Sequence, residues 1–357
     1  MTASRFRGPV LPDGETRDLY VVDGRVTYEP IASADLVCEG WIVPGLVDAH
    51  CHVGLDADGA VPQHVQETQA LTDRDAGALL LRDCGSAADT SWIHTRDDLP
   101  RLIRAGRHLA RTRRYIRNYA HEIEPEDLPA YVAVEAARGD GWVKLVGDWI
   151  EREAADLTPS WTRESLDKAM KVAHERGARV TAHVFGEHAL PDLIGAGIDC
   201  IEHGTGLSTE LIEIMANKGV ALVPTVKQLG NFPHYAEAGR AKFPRYADHM
   251  EALYASRRQV IGAAYEAGVQ IYAGTDAGGV LPHGLIGEEV LELSTYGLSP
   301  GDALGAASWR ARTWLGLDDN LAEGTTADFV VFDRDPLEDL GVLKDPKRIV
   351  LRGNVVG

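Results

Sequence analysis

The sequence of 357 residues contains little cysteine and little positive charge. Its four cysteines are too few for a disulfide framework in a chain of this length, so we expect free thiols. Lysine and arginine total 36 against 54 acidic residues, which gives a net charge of −18. This balance argues against a protein that binds nucleic acid through a basic face, and we expect no nucleic-acid partner.

Long apolar runs are also missing. No run approaches the roughly 20 residues that a membrane helix requires, and the first residues have no apolar core of the signal-peptide kind. We therefore expect a cytoplasmic protein without a membrane partner. Hydrophobic residues make up 45% and charged residues 25%, which is ordinary globular usage and excludes a disordered or fibrous chain.

The pattern of apolar residues predicts a β-rich segment at each end and alternating strands and helices between them. A turn at Asp23-Gly24 lies between two β-rich runs and predicts a hairpin. Helices are predicted over 164–175, 209–217 and 246–267, the first starting after Thr162. Short apolar strands are predicted at 42–47, 78–83, 143–146, 179–183, 199–202, 221–224 and 270–274.

Buried strands that alternate with helices predict a parallel sheet, and the number of strands suits a (β/α)₈ TIM barrel. We expect the eighth strand between residues 101 and 120. The arginine-rich stretch 101–117 is open to two interpretations. It contacts an anionic ligand, or it is a helix with a solvated or salt-bridged face.

Histidines, a lysine and an aspartate stand at the ends of the predicted strands. His50 and His52 point to one side of a strand and can bind one metal ion, although two ordinary strand-end histidines would look the same. A neutral Lys144 can react with CO₂ to give a carbamate that bridges two metals, or it pairs with a carboxylate such as Asp148. His183, His203 and Asp276 end further strands, where Asp276 is alternatively a helix N-cap.

Taken in order, these residues and the motifs around them resemble the amidohydrolase superfamily of metal-dependent hydrolases. The motifs are Pro44-Gly-Leu-Val-Asp-Ala-His, Leu81-Arg-Asp-Cys-Gly, Ala196-Gly-Ile-Asp-Cys-Ile-Glu-His-Gly and Ala322-Glu-Gly-Thr-Thr-Ala-Asp-Phe-Val-Val-Phe-Asp. The branch with Xaa-Pro dipeptidases, arginine carboxypeptidases and imidazolonepropionase-like relatives is the most similar. The resemblance implies a barrel over 44–316 and a small β-sandwich formed from 1–43 and 317–357.

The resemblance also implies the roles of the site residues. His50, His52 and Asp276 would bind one divalent ion, expected to be zinc, and His183 and His203 a second. An N6-carboxylated Lys144 would bridge the two. A metal-activated hydroxide would then cleave an amide-type C–N bond of a small molecule, with Asp276 as the catalytic proton carrier.

Loops after the strands are expected to set specificity. Our candidates for substrate contacts are Arg114, Arg117, Tyr119, His121, Trp149, His234, Tyr235 and His283. An arginine among them could bind a substrate carboxylate in a bidentate manner. The remaining histidines are interpreted as surface or packing residues: His64, His94, His108, His174, His188 and His249.

Several alternatives remain open at this point. A deaminase or ring-amide hydrolase with one metal is disfavoured, since Gly186 stands where such deaminases carry a glutamate and Glu187 follows one residue later. Hydrolysis of an ester, a lactone or an organophosphate would use the same residues. A non-catalytic assembly protein on the same fold is disfavoured because all six metal-site positions are filled, and a homo-oligomer stays possible.

Overall fold

The computed structural model describes residues 3–317 and 320–356. Residues 1, 2, 318, 319 and 357, which the predicted terminal segments include, lie outside the described part. The strands are β1 (Ala3–Val10), β2 (Glu15–Val22), β3 (Arg25–Thr27), β4 (Asp35–Glu39), β5 (Trp41–Pro44), β6 (Leu46–Cys51), β7 (Leu55–Asp56), β8 (Gly59–Ala60), β9 (Ala78–Asp83), β10 (Arg101–Arg104), β11 (Leu109–Arg111), β12 (His121–Ile123), β13 (Trp142–Val146), β14 (Asp148–Glu151), β15 (Asp156–Pro159), β16 (Arg179–Val184), β17 (Cys200–His203), β18 (Ala221–Val223), β19 (Phe329–Phe332), β20 (Arg348–Leu351) and β21 (Asn354–Val356).

The helices lie mostly between the strands of the middle region, so the fold is mixed α/β. They are α1 (Gln63–Asp75), α2 (Leu128–Arg138), α3 (Arg163–Glu175), α4 (Leu190–Ala196), α5 (Thr209–Lys218), α6 (Val226–Leu229), α7 (Phe232–Arg240), α8 (Pro244–Glu266), α9 (Ile286–Ser294), α10 (Pro300–Ala306) and α11 (Trp309–Trp314), with 3₁₀ turns at Ser91–Thr95, Pro125–Asp127 and Leu340–Lys344. Among the described residues, no helix is both long and apolar enough to cross a bilayer.

The strands from the two ends of the chain share one sheet. Its order is β21-β20-β19-β5-β1-β2-β3, and β4 pairs with β1. The predicted hairpin is confirmed, since Val22 pairs with Arg25 and both Asp23 and Gly24 adopt positive φ angles of 48° and 78°. Phe6 and Phe329 pack edge to face in the core of this sheet, with ring centroids 4.9 Å apart.

The strands that carry the predicted site form two parallel sheets, which confirms the expected strand direction. One has the order β10-β9-β6 and the other β12-β11-β13-β16-β17-β18. Two strands, β10 and β11, lie in the region where one strand was expected. The helical interpretation of the arginine-rich stretch is therefore wrong, but the expected salt bridges occur, as between Arg104 and Asp140.

The strand predicted at 270–274 is not a regular strand. Its backbone divides its hydrogen bonds between β18, through Leu222, and β6, through Ala49. Gly274 lies so close to β6 that an added Cβ would stand 2.6 Å from the Cβ of His50. The segment therefore joins the two sheets beside the site.

The predicted helices are confirmed with small shifts of their ends. The hydroxyl of Thr162 accepts a hydrogen bond from the backbone N–H of Ser165 and so caps α3. The four cysteines are free thiols, as predicted, and all are buried.

Candidate active site

Six predicted site residues meet at the carboxyl ends of the parallel strands. His50 lies on β6, Lys144 on β13, His183 on β16 and His203 on β17. Asp276 follows the segment that joins the sheets. Asp276 is 15% exposed at its side chain, and the other five, His50, His52, Lys144, His183 and His203, are buried.

The first cluster consists of His50, His52 and Asp276. Nε2 of His50 lies 3.1 Å and Nε2 of His52 lies 3.0 Å from the same oxygen of Asp276, and the two nitrogens are 3.2 Å apart. Nδ1 of His52 lies 2.8 Å from the carbonyl oxygen of Gly85, which can only accept. The His52 proton is therefore on Nδ1, and its Nε2 presents a lone pair to the cluster. Lone pairs that converge in this way fit a cation.

The second cluster consists of His183 and His203. The Thr225 hydroxyl donates to the carbonyl oxygen of Pro224 at 2.8 Å, so it accepts from Nδ1–H of His203 at 2.6 Å. Nε2 of His203 therefore presents its lone pair to Nδ1 of His183, 3.0 Å away. Nε2 of His183 has no hydrogen-bond partner among the described residues and lies 3.9 Å from Asp148. This pair can also hold a metal ion.

Lys144 is buried against Glu202 between these histidines. The alternative that Lys144 pairs with a carboxylate is therefore met in this structure, but the carboxylate is Glu202 and not Asp148. Asp148 instead accepts hydrogen bonds from the backbone N–H groups of Phe185 and Gly186. The ammonium of Lys144 contacts Oε2 of Glu202. The other oxygen, Oε1, lies 3.7 Å from Nδ1 of His50. Sequence reasoning missed Glu202, although it directly precedes His203.

Burial controls the charge of the clusters. It lowers the pKa of His50 to about 4 and that of His203 to about 3, and it lowers the pKa of His183 well below its usual value. Burial alone would raise the pKa of Asp276, but the facing imidazoles hold it well below its usual range. At neutral pH His50, His183 and His203 are therefore neutral and Asp276 is charged, the protonation states that metal ligands need.

The backbone is strained at three site residues. His203, Thr225 and Asp276 have φ angles of 66°, 49° and 59°, in the left-handed region that non-glycine residues rarely adopt. Such strain costs about 1–3 kcal/mol per residue and concentrates at functional sites. Asp48, which the sequence reasoning did not single out, stabilises this arrangement because it accepts bonds from the backbone N–H groups of His50 and Thr275.

His108 belongs to the site, and its interpretation as a possible surface residue is wrong. It is fully buried, and its ring stacks on that of His52 with centroids 5.0 Å apart. Neither ring nitrogen has a hydrogen-bond partner among the described residues. The position could have been found from its place directly before the apolar start of β11. His249 is half-buried and bonds to Asp156 and Glu187.

Three of the eight predicted substrate contacts line a cavity of about 420 Å³ that reaches His183 and Asp276: Tyr119, Trp149 and Tyr235. The other five do not line it. The guanidinium of Arg114 donates to the carbonyl oxygens of Trp149, Thr158 and Pro159, so it is not free to bind a carboxylate. His121 bonds to Glu135 and His283 to Asp73, while Arg117 and His234 are exposed.

Comparison with known proteins identifies the family. The model of the amidohydrolase family matches residues 41–356. An uncharacterized protein of Mycobacterium tuberculosis is 54% identical over 353 residues, which cover 98% of this chain and 95% of the relative. The ochratoxinase of Aspergillus niger is 25% identical over 359 residues, covering 86% of this chain and 73% of that enzyme.

Solved structures show the same fold. A Xaa-Pro dipeptidase with bound methionine in its active site matches with a TM-score of 0.83 at 21% identity, over 99% of this chain and 100% of the dipeptidase. The chain belongs to the amidohydrolase family, and the resemblance inferred from its motifs is confirmed.

Proposed function

We propose that the chain is a metal-dependent hydrolase that cleaves an amide-type C–N bond. His50, His52 and Asp276 would hold one divalent ion and His183 and His203 a second, both zinc, with an N6-carboxylated Lys144 between them. The observation that carries the proposal is the direction of the lone pairs. The hydrogen bond of His52 to Gly85 leaves the Nε2 lone pair of His52 facing a carboxylate oxygen of Asp276 at 3.0 Å, and two acceptors in contact are unfavourable unless a cation lies between them. The hydrogen bond of His203 to Thr225 directs the Nε2 lone pair of His203 into the second cluster.

When bound, the ions would supply a water that is nucleophilic at neutral pH and would polarise the scissile carbonyl. Asp276 would accept the proton of this water and deliver it to the leaving nitrogen as the C–N bond breaks. Because the water would attack the carbonyl carbon directly, the reaction needs no covalent enzyme intermediate. The water oxygen ends on the carboxylic acid and the proton on the amine.

Lys144 is placed for carboxylation by its neighbours. The Lys144 ammonium would first lose one proton, and the neutral amine would then bond to CO₂ and lose a second proton as the carbamate forms. Glu202, which contacts the amine directly, would relay these protons to solvent. Arg82, which lies 3.5 Å from the other oxygen of Glu202, offsets negative charge at this buried position.

A one-metal deaminase is less well supported. The acid that comes nearest to the expected glutamate position, Glu187, bonds to His249 and is half-exposed at its side chain. It therefore does not extend toward His183 or His203. The similarity to a structure named as a Xaa-Pro dipeptidase, a name that denotes cleavage of a peptide bond, also supports hydrolysis.

We also propose that residues 44–316 form a (β/α)₈ barrel and that 1–43 with 317–357 form a β-sandwich. The support is the backbone bonding of the segment 270–273 to both β18 and β6. A crystal structure would test the barrel and the sandwich, and cell fractionation would test the cytoplasmic location.

Metal analysis and a panel of dipeptides, N-acyl amino acids and carbamates test the function. We expect two ions per chain, loss of activity with a chelator, and recovery with zinc. Asp276→Asn should lower kcat by on the order of 10²–10⁴-fold. His64→Asn, a change at an exposed histidine on α1, is the matched control and should leave kcat unchanged. Unchanged turnover in Asp276→Asn would remove the proton-carrier role, and an active protein without metal would overturn the proposal.

A further inference from the structure

The cavity above the metal clusters has an aromatic wall. Besides His183 and Asp276, the residues that line it include Tyr115, Tyr119, Trp149, Phe185, Tyr235 and Tyr246. The wall begins at the proposed ligand His183, whose ring centroid is 4.3 Å from that of Phe185 and 5.5 Å from that of Trp149. Tyr115 packs edge to face on Trp149 at 4.9 Å. A group bound beside the scissile bond would therefore contact aromatic rings.

Two hydroxyls of this wall are already hydrogen-bonded. The hydroxyl of Tyr119 donates to the carbonyl oxygen of Asp56 at 2.6 Å, and that of Tyr235 accepts from the side-chain amide of Gln228 at 2.9 Å. Burial raises the pKa of both tyrosines to about 12, so both stay neutral. The wall consists of aromatic rings and therefore offers mainly apolar surface.

The cavity offers little to a carboxylate. Among the described residues that line it, Lys242 is the only lysine or arginine, and it is exposed, with its ammonium 5.2 Å from the ring centroid of Phe243. Arg114 is occupied by backbone carbonyl oxygens. A substrate carboxylate placed among the rings would lose its hydration without gaining a cationic partner.

We propose, on the basis of the hydrolase function above, that the substrates are uncharged amides or carbamates that carry an aromatic or similarly bulky apolar group beside the scissile bond. A volume of about 420 Å³ suits such a group, whereas an acetyl or glycyl group would leave most of the cavity unfilled. Dipeptides and N-acyl amino acids with a free carboxylate are disfavoured. Hydrolysis consumes one water and gives a carboxylic acid and an amine, or CO₂, an alcohol and an amine from a carbamate.

Three matched compounds test this inference with the zinc-loaded protein. N-(2-naphthoyl)glycine methylamide is neutral and bulky, N-(2-naphthoyl)glycine differs by its carboxylate, and N-acetylglycine methylamide differs by its small acyl group. We expect kcat/KM for the first to be at least tenfold higher than for either of the others. A free acid that is hydrolysed as well as or better than the neutral compound would overturn the inference.

Two variants test whether the aromatic wall causes the substrate preference. Trp149→Ala should reduce the preference for the naphthoyl over the acetyl compound at least fivefold, because it removes apolar contact area beside His183. Val134→Ala, at an exposed position on α2, is the control and should keep the preference. An unchanged preference in Trp149→Ala would count against the aromatic wall.

Binding distinguishes this inference from the function on which it rests. If neither these compounds nor the panel described above is hydrolysed, the proposed hydrolase function fails, and quenching of tryptophan fluorescence then decides whether the cavity prefers neutral, bulky ligands. At least tenfold tighter binding of the neutral naphthoyl compound than of its free acid would support it. Equal or weaker binding would overturn it.

Discussion

Replacing Thr225 by valine tests whether a single hydroxyl directs the lone pair of His203 toward the proposed metal. Thr225 is fully buried, and its oxygen accepts the Nδ1–H of His203 at 2.6 Å. Valine has nearly the same shape and the same β-branching, so the backbone strain at a φ of 49° is unchanged. What changes is that a buried N–H loses its acceptor and the carbonyl oxygen of Pro224 loses a donor.

The size of the effect follows from that loss. An unpaired buried donor costs about 1–3 kcal/mol, and we expect this decrease in the free energy of unfolding of the metal-free protein. Partners that orient a metal-binding histidine usually contribute about 10–100-fold in metal affinity, so Thr225→Val should weaken zinc binding by that factor. Thr225→Ser keeps the hydroxyl and should retain most of the affinity.

Two measurements are needed. Urea unfolding in the presence of a chelator gives the stability of the metal-free protein, and titration with zinc against a competing chelator gives the affinity. Unchanged zinc affinity in Thr225→Val would refute the role of this hydroxyl, even if stability falls. Equal losses in the valine and serine variants would show that packing, and not the hydrogen bond, is responsible.

Three further predictions concern other parts of the molecule. The carboxylates that bond to His249, chiefly Glu187, raise its pKa from the usual 6.5 to about 9, so the stabilisation from its charge is full below pH 6.5 and is lost as pH rises through 9. His249→Gln should therefore lower the free energy of unfolding by roughly 1–2 kcal/mol at pH 6, allowing for solvent screening of a half-buried group, and by nearly nothing at pH 10. Equal losses of stability at both pH values, measured by urea unfolding, would contradict this. Gly274→Ala should lower the free energy of unfolding by at least about 2 kcal/mol and impair zinc binding, because the added Cβ would stand 2.6 Å from the Cβ of His50. The control is Gly301→Ala on α10, where no atom lies within 4 Å of the added Cβ. In thermal melts of both variants, Gly301→Ala should be neutral or stabilising by up to about 1 kcal/mol. His108→Phe should stabilise the metal-free protein by about 1 kcal/mol because it removes two unpaired buried nitrogens, and a clear decrease in Tm would argue against this explanation.

The positions of the metal-site candidates could be predicted from the sequence because strand ends are recognisable. An apolar run that stops at a histidine or aspartate marks both the strand and its carboxyl end, and parallel strands bring those ends to one edge. His183 and His203 illustrate this, since they lie on neighbouring strands and their facing nitrogens are 3.0 Å apart.

The partners of these residues could not be predicted in the same way. Lys144 contacts Glu202, which is 58 positions away, rather than Asp148 nearby in the chain, and only the order of the strands decides between them. Arg114 resembles a substrate contact in the sequence, but whether its guanidinium meets a ligand or backbone carbonyls depends on the path of the loop. His108 stands directly before β11, but its stacking on His52, which places it in the site, depends on the arrangement of two separate strands.

The left-handed backbone at His203, Thr225 and Asp276 has a consequence for engineering. Glycine relieves such conformations, so a design procedure that optimises stability alone would favour glycine at all three positions. Each such exchange would delete a proposed ligand or the hydroxyl that orients one. Thermostable variants of this protein should therefore be sought at the helix surfaces and in the terminal sheet, with these three positions held fixed.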